Sequence, residues 1–191
     1  MDIAVKNVYK AYGEKKVLND ISIVFPAGQC TCIMAESGKG KTTLLRLIMG
    51  LENPDSGKIS GVPDKISVVF QEDRLCEDFS IATNLRMVLD KDNDMSDDDI
   101  RRLMSELSMQ EDINTKVSQL SGGMKRRVAI ARALAYDCEW LILDEPFKGL
   151  DEATRDKVIS TIKQKRKSVI MVSHNIDEAE IMNAVILDNV L

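Results

Sequence analysis

Two short stretches restrict the fold of this chain more than any other part of it. Leu120 to Met124 reads Leu-Ser-Gly-Gly-Met and leads into a helical pattern, and the apolar run Trp140 to Leu143 further on ends in Asp144, Glu145 and Pro146. A serine and two glycines at the head of a helix leave backbone N–H groups bare at the positive end of the helix dipole, which suits an anion such as a terminal phosphate. An apolar strand that delivers two carboxylates to its end suits a metal ion and a water. A third element stands upstream: Ala35-Glu36-Ser37-Gly38-Lys39-Gly40-Lys41-Thr42 joins the strand-like stretch Cys30 to Met34 to a helical one, Lys41 to Met49.

The remaining pattern fits an α/β fold around these three. Alternating segments at Ile3 to Tyr9 and Ile21 to Phe25, separated by the turn Tyr12-Gly13, predict an antiparallel β patch. Leu44, Leu45, Leu47 and Ile48 point the first helix into the core on more than one side, and Gly50 ends it. A strand at Ile66 to Phe70 follows. From there to about Gln119 the chain turns polar and acidic, with helical patches at Ile81 to Leu89 and Asp97 to Leu107 that read as an insertion. Next come a helix from Gly123 to about Ala135, the strand Trp140 to Leu143, a helix from Glu152 to Lys165, the strand Ser168 to Val172 and a short strand at Ala184 to Leu187. Strands alternating with helices imply a mostly parallel sheet. We expect one domain over 1–191, with 1–72 and 120–191 forming a core and 73–119 a helical subdomain.

Composition excludes several function classes. A net charge of −5 gives no support for wrapping nucleic acid, and no apolar run approaches a membrane span. The start, Met1-Asp2-Ile3, lacks a secretory pattern, so a cytosolic chain is expected. The four cysteines, Cys30, Cys32, Cys76 and Cys138, are read as buried or free thiols in that compartment. The basic clusters Lys125-Arg126-Arg127 and Lys163 to Lys167 are read as solvated helix faces. Asp90, Asp92 and Asp94 match the first ligands of a calcium loop, but Met95 stands where the turn glycine is needed and Arg101 where the bidentate glutamate belongs. A surface turn capping a helix through Ser96 or Asp97 is the better reading.

The chemistry resides in the three motifs. N–H groups around Gly38 to Lys41 can cradle a β-phosphate, Lys41 can reach the β/γ oxygens, and the Thr42 hydroxyl can bind Mg²⁺. Ala35 stands at the loop entry where a glycine is usual, and an ordinary backbone conformation is expected there. Asp144 can hold the metal shell while Glu145 polarises the attacking water as a general base.

In order and spacing these motifs resemble the ATP-binding cassette (ABC) ATPase family across nearly the whole chain. The resemblance implies a P-loop NTPase fold, ATP and Mg²⁺ as ligands, and ATP hydrolysis. It places Ser37, Gly38, Lys39, Gly40, Lys41, Thr42 and Thr43 on the nucleotide, with Tyr12 stacking on adenine. Gln71 would touch Mg²⁺ and water beside Asp144 and Thr42, and His174 would contact the γ-phosphate next to the base Glu145. It implies that Ser121, Gly122 and Gly123 of one subunit close over ATP held by another, so a second ATPase subunit, read as a homodimer, is expected. Gly149-Leu150-Asp151 resembles the loop linking the two sites.

Further implications are membrane-spanning permease subunits, an extracytoplasmic solute-binding protein, and a place on the inner face of the cell membrane. A docking surface between Glu72 and Leu89, with Arg74, Leu75, Phe79 and Ile81, would receive a short partner helix. The stretch Asp144 to Asp151 looks most like bacterial importers of the nitrate, sulfonate and taurine class. With seventeen residues after His174, a compact member is expected. Two rivals share the motifs: a soluble cassette ATPase of a protein assembly, as in iron–sulfur cluster assembly, and a slow nucleotide-gated clamp.

Overall fold

The computed structural model describes residues 1–36, 38–90 and 94–188. Eight strands and six helices run β1 (Ile3–Tyr12), β2 (Lys15–Phe25), β3 (Cys30–Met34), α1 (Lys41–Ile48), β4 (Ser56–Ser60), β5 (Ile66–Val69), α2 (Ile81–Arg86) and α3 (Asp97–Glu106). They continue α4 (Gly122–Ala135), β6 (Trp140–Asp144), α5 (Glu152–Gln164), β7 (Ser168–Val172), α6 (Ile176–Ile181) and β8 (Val185–Asp188).

Five strands form a parallel sheet in the order β5-β6-β7-β3-β8, and β2-β1-β4 form an antiparallel one. This confirms the expected class, a mostly parallel core with an antiparallel patch. The parallel strands carry apolar residues on both faces because both faces are covered. Along β6, Trp140 and Ile142 enter a core with α1 and the antiparallel sheet, while Leu141 and Leu143 enter the core under α2 to α5. The same two-residue period sorts Ile170 and Val172 of β7 from Val169 and Met171. Trp140 is 1% exposed and Ile142 and Leu143 are fully enclosed, so the strand is fixed where its two acids emerge.

Several expectations need correction. The β patch is larger than the sequence indicates: β1 runs on to Tyr12, β2 starts at Lys15, and β4 adds a third strand. Ser56-Gly57-Lys58-Ile59-Ser60 has little apolar alternation, so its strand character comes from pairing with β1. Gly57 has φ +88, and a Cβ there would lie 2.2 Å from the Asn7 carbonyl oxygen. Only glycine lets the two backbones approach so closely. Helix α6 also escaped the sequence reading, being six residues long and capped by Asn175 through the Asp177 N–H. The other helices lie within a residue or a few of their expected limits.

The acidic stretch behaves as the sequence predicts at its cap. Ser96 accepts from the Asp99 N–H while Asp99 reaches back to the Ser96 N–H, a full capping box with three acids in the first turn of α3. Asp90 is paired with Lys65, and Arg101 bridges Asp97 and Asp98; Asp92 lies outside the described residues.

A contrast between two glycines tests the β1–β4 approach. Gly50 (φ +68) has open space around its missing Cβ, so Gly50→Ala is expected to cost about 1–2 kcal/mol from backbone strain alone. Gly57→Ala must in addition push β4 off β1, and urea unfolding should show a clearly larger loss. Equal losses would mean that the β1–β4 pairing is not held at this distance.

Candidate functional site

The carboxyl ends of β3, β6, β7 and the approach from β5 converge on a cavity of about 320 Å³. Gly38, Gly40, Lys41, Thr42, Thr43, Gln71, Asp144, Glu145 and His174 line it, so most of the sequence-chosen residues meet there. Lys15 and Val17 of β2 line it as well, and sequence reasoning missed both.

The loop between β3 and α1 is built for close approach. Gly38 and Gly40 have φ +81 and +93, and a Cβ on Gly40 would stand 2.8 Å from Leu18 Cδ2 and 3.0 Å from the Val17 carbonyl. Gly40 is the N-cap of α1 and supplies no capping side chain, so the first N–H groups of the helix remain available to an anion. Ala35 has no positive φ, as expected. Lys41 is 7% exposed, and its ammonium donates to the Ala35 and Glu36 carbonyls, the latter at 2.9 Å. Burial lowers its pKa, opposed by the charges of Glu145 and Asp144. Ser37 lies outside the described residues, and Lys39, at the exposed side of the loop, donates its N–H to the Glu36 carbonyl.

Opposite the loop stand the acids. Asp144 ends β6, is 6% exposed, and accepts from the Thr42 hydroxyl at 3.4 Å. Burial, then the neighbouring Glu145 charge, raises its pKa. Glu145 has φ +47, bonds its N–H to the Val172 carbonyl at 3.0 Å, and its Oε1 lies 3.2 Å from His174 Nε2. His174 is at the end of β7, where Ser173 donates to the buried Glu178.

A hydroxyl and a buried carboxylate side by side are hard oxygen donors that fit Mg²⁺, which takes one or two protein carboxylates and completes its shell with phosphates and water. Among the described residues no group of three or more acids, histidines or cysteines is placed to hold a metal ion by itself.

Besides Lys39, four sequence-chosen residues among those described do not line the cavity. Tyr12 is 46% exposed, donates its hydroxyl to Glu52, and faces Lys15 across the β1–β2 turn, beside the cavity rather than in it. Ser121 caps α4 and accepts from the Met124 N–H at 3.4 Å, while Ser121 and Gly122 face solvent. Gly123 packs near the Gly149 carbonyl, joining the signature to the Gly149-Leu150-Asp151 loop.

The solvated-face reading of the basic clusters is overturned, and the expected docking surface loses one residue. Arg126 is 3% exposed, not on a solvated face, and Arg127 donates to the Gly123, Leu107 and Ser108 carbonyls. Arg126 stands four residues before the buried Ile130, and that helical period is the signal that could have placed it inward. Lys163 and Lys167 also bind backbone carbonyls, of Ile181 and Tyr136. In the expected docking surface Ile81, the first residue of α2, is fully buried, whereas Phe79 and Met87 are 48% and 56% exposed. A separate cavity of about 560 Å³ lies at the opposite ends of β3, β7 and β8, remote from the acids.

Comparison with known proteins agrees with this geometry. The family model described as "ABC transporter" matches residues 18–148. The aliphatic sulfonates import ATP-binding protein SsuB 3 of Rhodococcus jostii is 38% identical over 193 residues, covering 98% of this chain and 71% of that protein. The Nod factor export ATP-binding protein I of Burkholderia orbicola is 36% identical, covering 93% and 64%. The dimeric structure of a bacterial ABC transporter cassette superposes with TM-score 0.83 at 29% identity, covering 97% of this chain and 94% of that one.

The Asp144 environment makes a testable statement. An acid whose folded pKa is raised takes up a proton more readily folded than unfolded. Its ionised form therefore lowers stability at neutral pH, and that loss is relieved as pH falls through the raised value. Asp144→Asn should accordingly raise the Tm of the Mg²⁺-free chain at pH 7 and abolish the further rise produced by ATP with Mg²⁺. A lower Tm in the nucleotide-free state would mean that the carboxylate is a structural support.

Proposed function

The chain belongs to the ABC transporter family of ATP-hydrolysing, Mg²⁺-dependent ATP-binding proteins: we propose that it powers import of a small solute through separate membrane-spanning subunits. The observation that carries the site assignment is the convergence of Lys41, Thr42, Gln71, Asp144, Glu145 and His174 on one cavity at the strand ends. In this reading the N–H groups from Gly38 to Thr43 and the Lys41 ammonium hold the β- and γ-phosphates. Thr42, Asp144 and Gln71 hold Mg²⁺, which when bound neutralises charge on the phosphate oxygens. Glu145 accepts the proton of the attacking water, and His174, 3.2 Å from it, orients that carboxylate towards the γ-phosphate.

The signature residues Ser121, Gly122 and Gly123 do not line the chain's own cavity, and Ser121 and Gly122 are exposed, which supports a second ATPase subunit, read as an identical copy. The solved dimeric cassette points the same way. Segment 73–119, with α2 and α3 packed on α4, is proposed as a helical subdomain on a core of 1–72 and 120–191. Its exposed Phe79 and Met87, next to Arg74 and Leu75, form the surface offered to a permease helix. Among the described residues no helix is long and apolar enough to cross a membrane. In the import reading the pore belongs to separate permease subunits, and the proposed location is the cytoplasmic face of the cell membrane. An extracytoplasmic solute-binding protein belongs to the import reading. Import is proposed because the sulfonate relative, 38% identical to this chain against 36% for the Nod factor one, is an import protein.

Lys41→Ala is expected to abolish ATP binding in equilibrium dialysis. Glu145→Gln should bind ATP normally, lose turnover by about 10²–10⁴-fold, and accumulate as a dimer on size exclusion. Tagged Glu145→Gln purified from native membranes with ATP and Mg²⁺ should bring down a multi-span membrane protein by mass spectrometry. Recovery of soluble partners alone would transfer the chain to the non-transport cassette ATPases.

A further inference from the structure

Arg126 is the most heavily engaged buried charge among the described residues outside the nucleotide cavity. It lies one turn into α4, 3% exposed, with its guanidinium between two loops from distant parts of the chain. Nη1 donates to the Phe70 carbonyl at 2.6 Å and to Asp73 Oδ1 at 3.1 Å. Nη2 donates to the Asp144 carbonyl at 3.2 Å and to the Glu145 carbonyl at 2.6 Å. One planar group thus grips the residue before Gln71 and both acids of the site by their backbones.

We propose that Arg126 is a positioning residue that sets Gln71 and Glu145 in register with each other and ties both to the signature helix. The proposal rests on the roles assigned above to Glu145 and Gln71. Glu145 sits at φ +47, a left-handed conformation that a side-chain-bearing residue keeps only when its surroundings hold it. Arg126 supplies that hold from one side and the Val172 carbonyl from the other, where it accepts the Glu145 N–H. The fork geometry of arginine is required, because a lysine ammonium is a single point and cannot reach both loops with directed bonds. Asp73 balances the buried charge, and Arg132 adds bonds from α4 to the Asp73 and Arg74 carbonyls, so the loop after β5 is fastened to α4 over its length.

The grip lies at the head of the helix whose first turn carries Ser121, Gly122 and Gly123. A displacement of that turn, as when a second subunit's nucleotide meets it, is passed by a rigid guanidinium to the backbone of the base. Arg126 does not line the nucleotide cavity, so its removal should act on turnover and spare binding.

The test uses the full chain with Arg126→Ala and Arg126→Lys, normalising phosphate release to the number of ATP sites filled. Expected for alanine is a loss of turnover per filled site of about tenfold to a hundredfold, with ATP affinity within about twofold of the parent. Lysine should fall between, and millimolar guanidinium ion should restore part of the alanine variant's rate. Turnover per filled site within about twofold of the parent, or a fall matched by an equal loss of ATP affinity, overturns the proposal. If the alanine variant does not fold, the lysine variant decides on the same criteria. Glu145→Gln is measured alongside. An active Glu145→Gln overturns the base assignment and the clamp together, whereas an inactive one beside a fully active Arg126→Ala overturns the clamp alone.

Discussion

The structure turns on the delivery of two adjacent carboxylates from a strand with no solvent on either face. Asp144 has left water behind and stands beside the charge of Glu145, and both raise its pKa and disfavour its ionised form. The surroundings answer that cost piece by piece. Lys41 is drawn into burial across the cavity, Thr42 donates to Asp144, and His174 sits against Glu145. The backbone that carries the acids is held from behind by Arg126. A strand less completely enclosed would let water solvate the acids and would not need these partners, but it could not concentrate charge on one small volume.

The arrangement also explains why function gathers at one end of the sheet. In a parallel sheet every strand's carboxyl end points the same way, so the loop after β3, the glutamine after β5, the acids of β6 and the histidine after β7 become neighbours without long excursions. The other end of the same strands holds a cavity edged by Lys163, Arg166 and Lys167, but Asp144 and Glu145 are at the far side of the sheet.

What could be read in advance follows from this geometry. Trp140 to Asp144 and Ser168 to Val172 are legible because strands buried on both faces leave an unbroken apolar run, and the polar residues just after each run are then candidate site residues. Lys41, Thr42, Asp144, Glu145, Gln71 and His174 were accessible by that logic. Strand β4 was not, since its pairing depends on a close approach between Gly57 and Asn7 that no periodicity encodes. Nor was the clamp: Arg126 reads as one of three consecutive bases, and its partners at Phe70 and Glu145 are brought to it only by the packing of α4 on the sheet. Tyr12 stands beside the cavity, 46% exposed and with its hydroxyl engaged by Glu52, a pairing that no periodicity encodes.

The outward-facing cap of α4 has a kinetic consequence. If each nucleotide site is completed by the Ser121 turn of another copy, the productive species is bimolecular, and at high dilution its formation rate scales with the square of chain concentration. Permease subunits that bind two copies side by side would replace that dependence with a local concentration of order millimolar. A copy adrift from its membrane assembly would then consume almost no ATP, and expenditure of the nucleotide would be confined to chains already coupled to a pore.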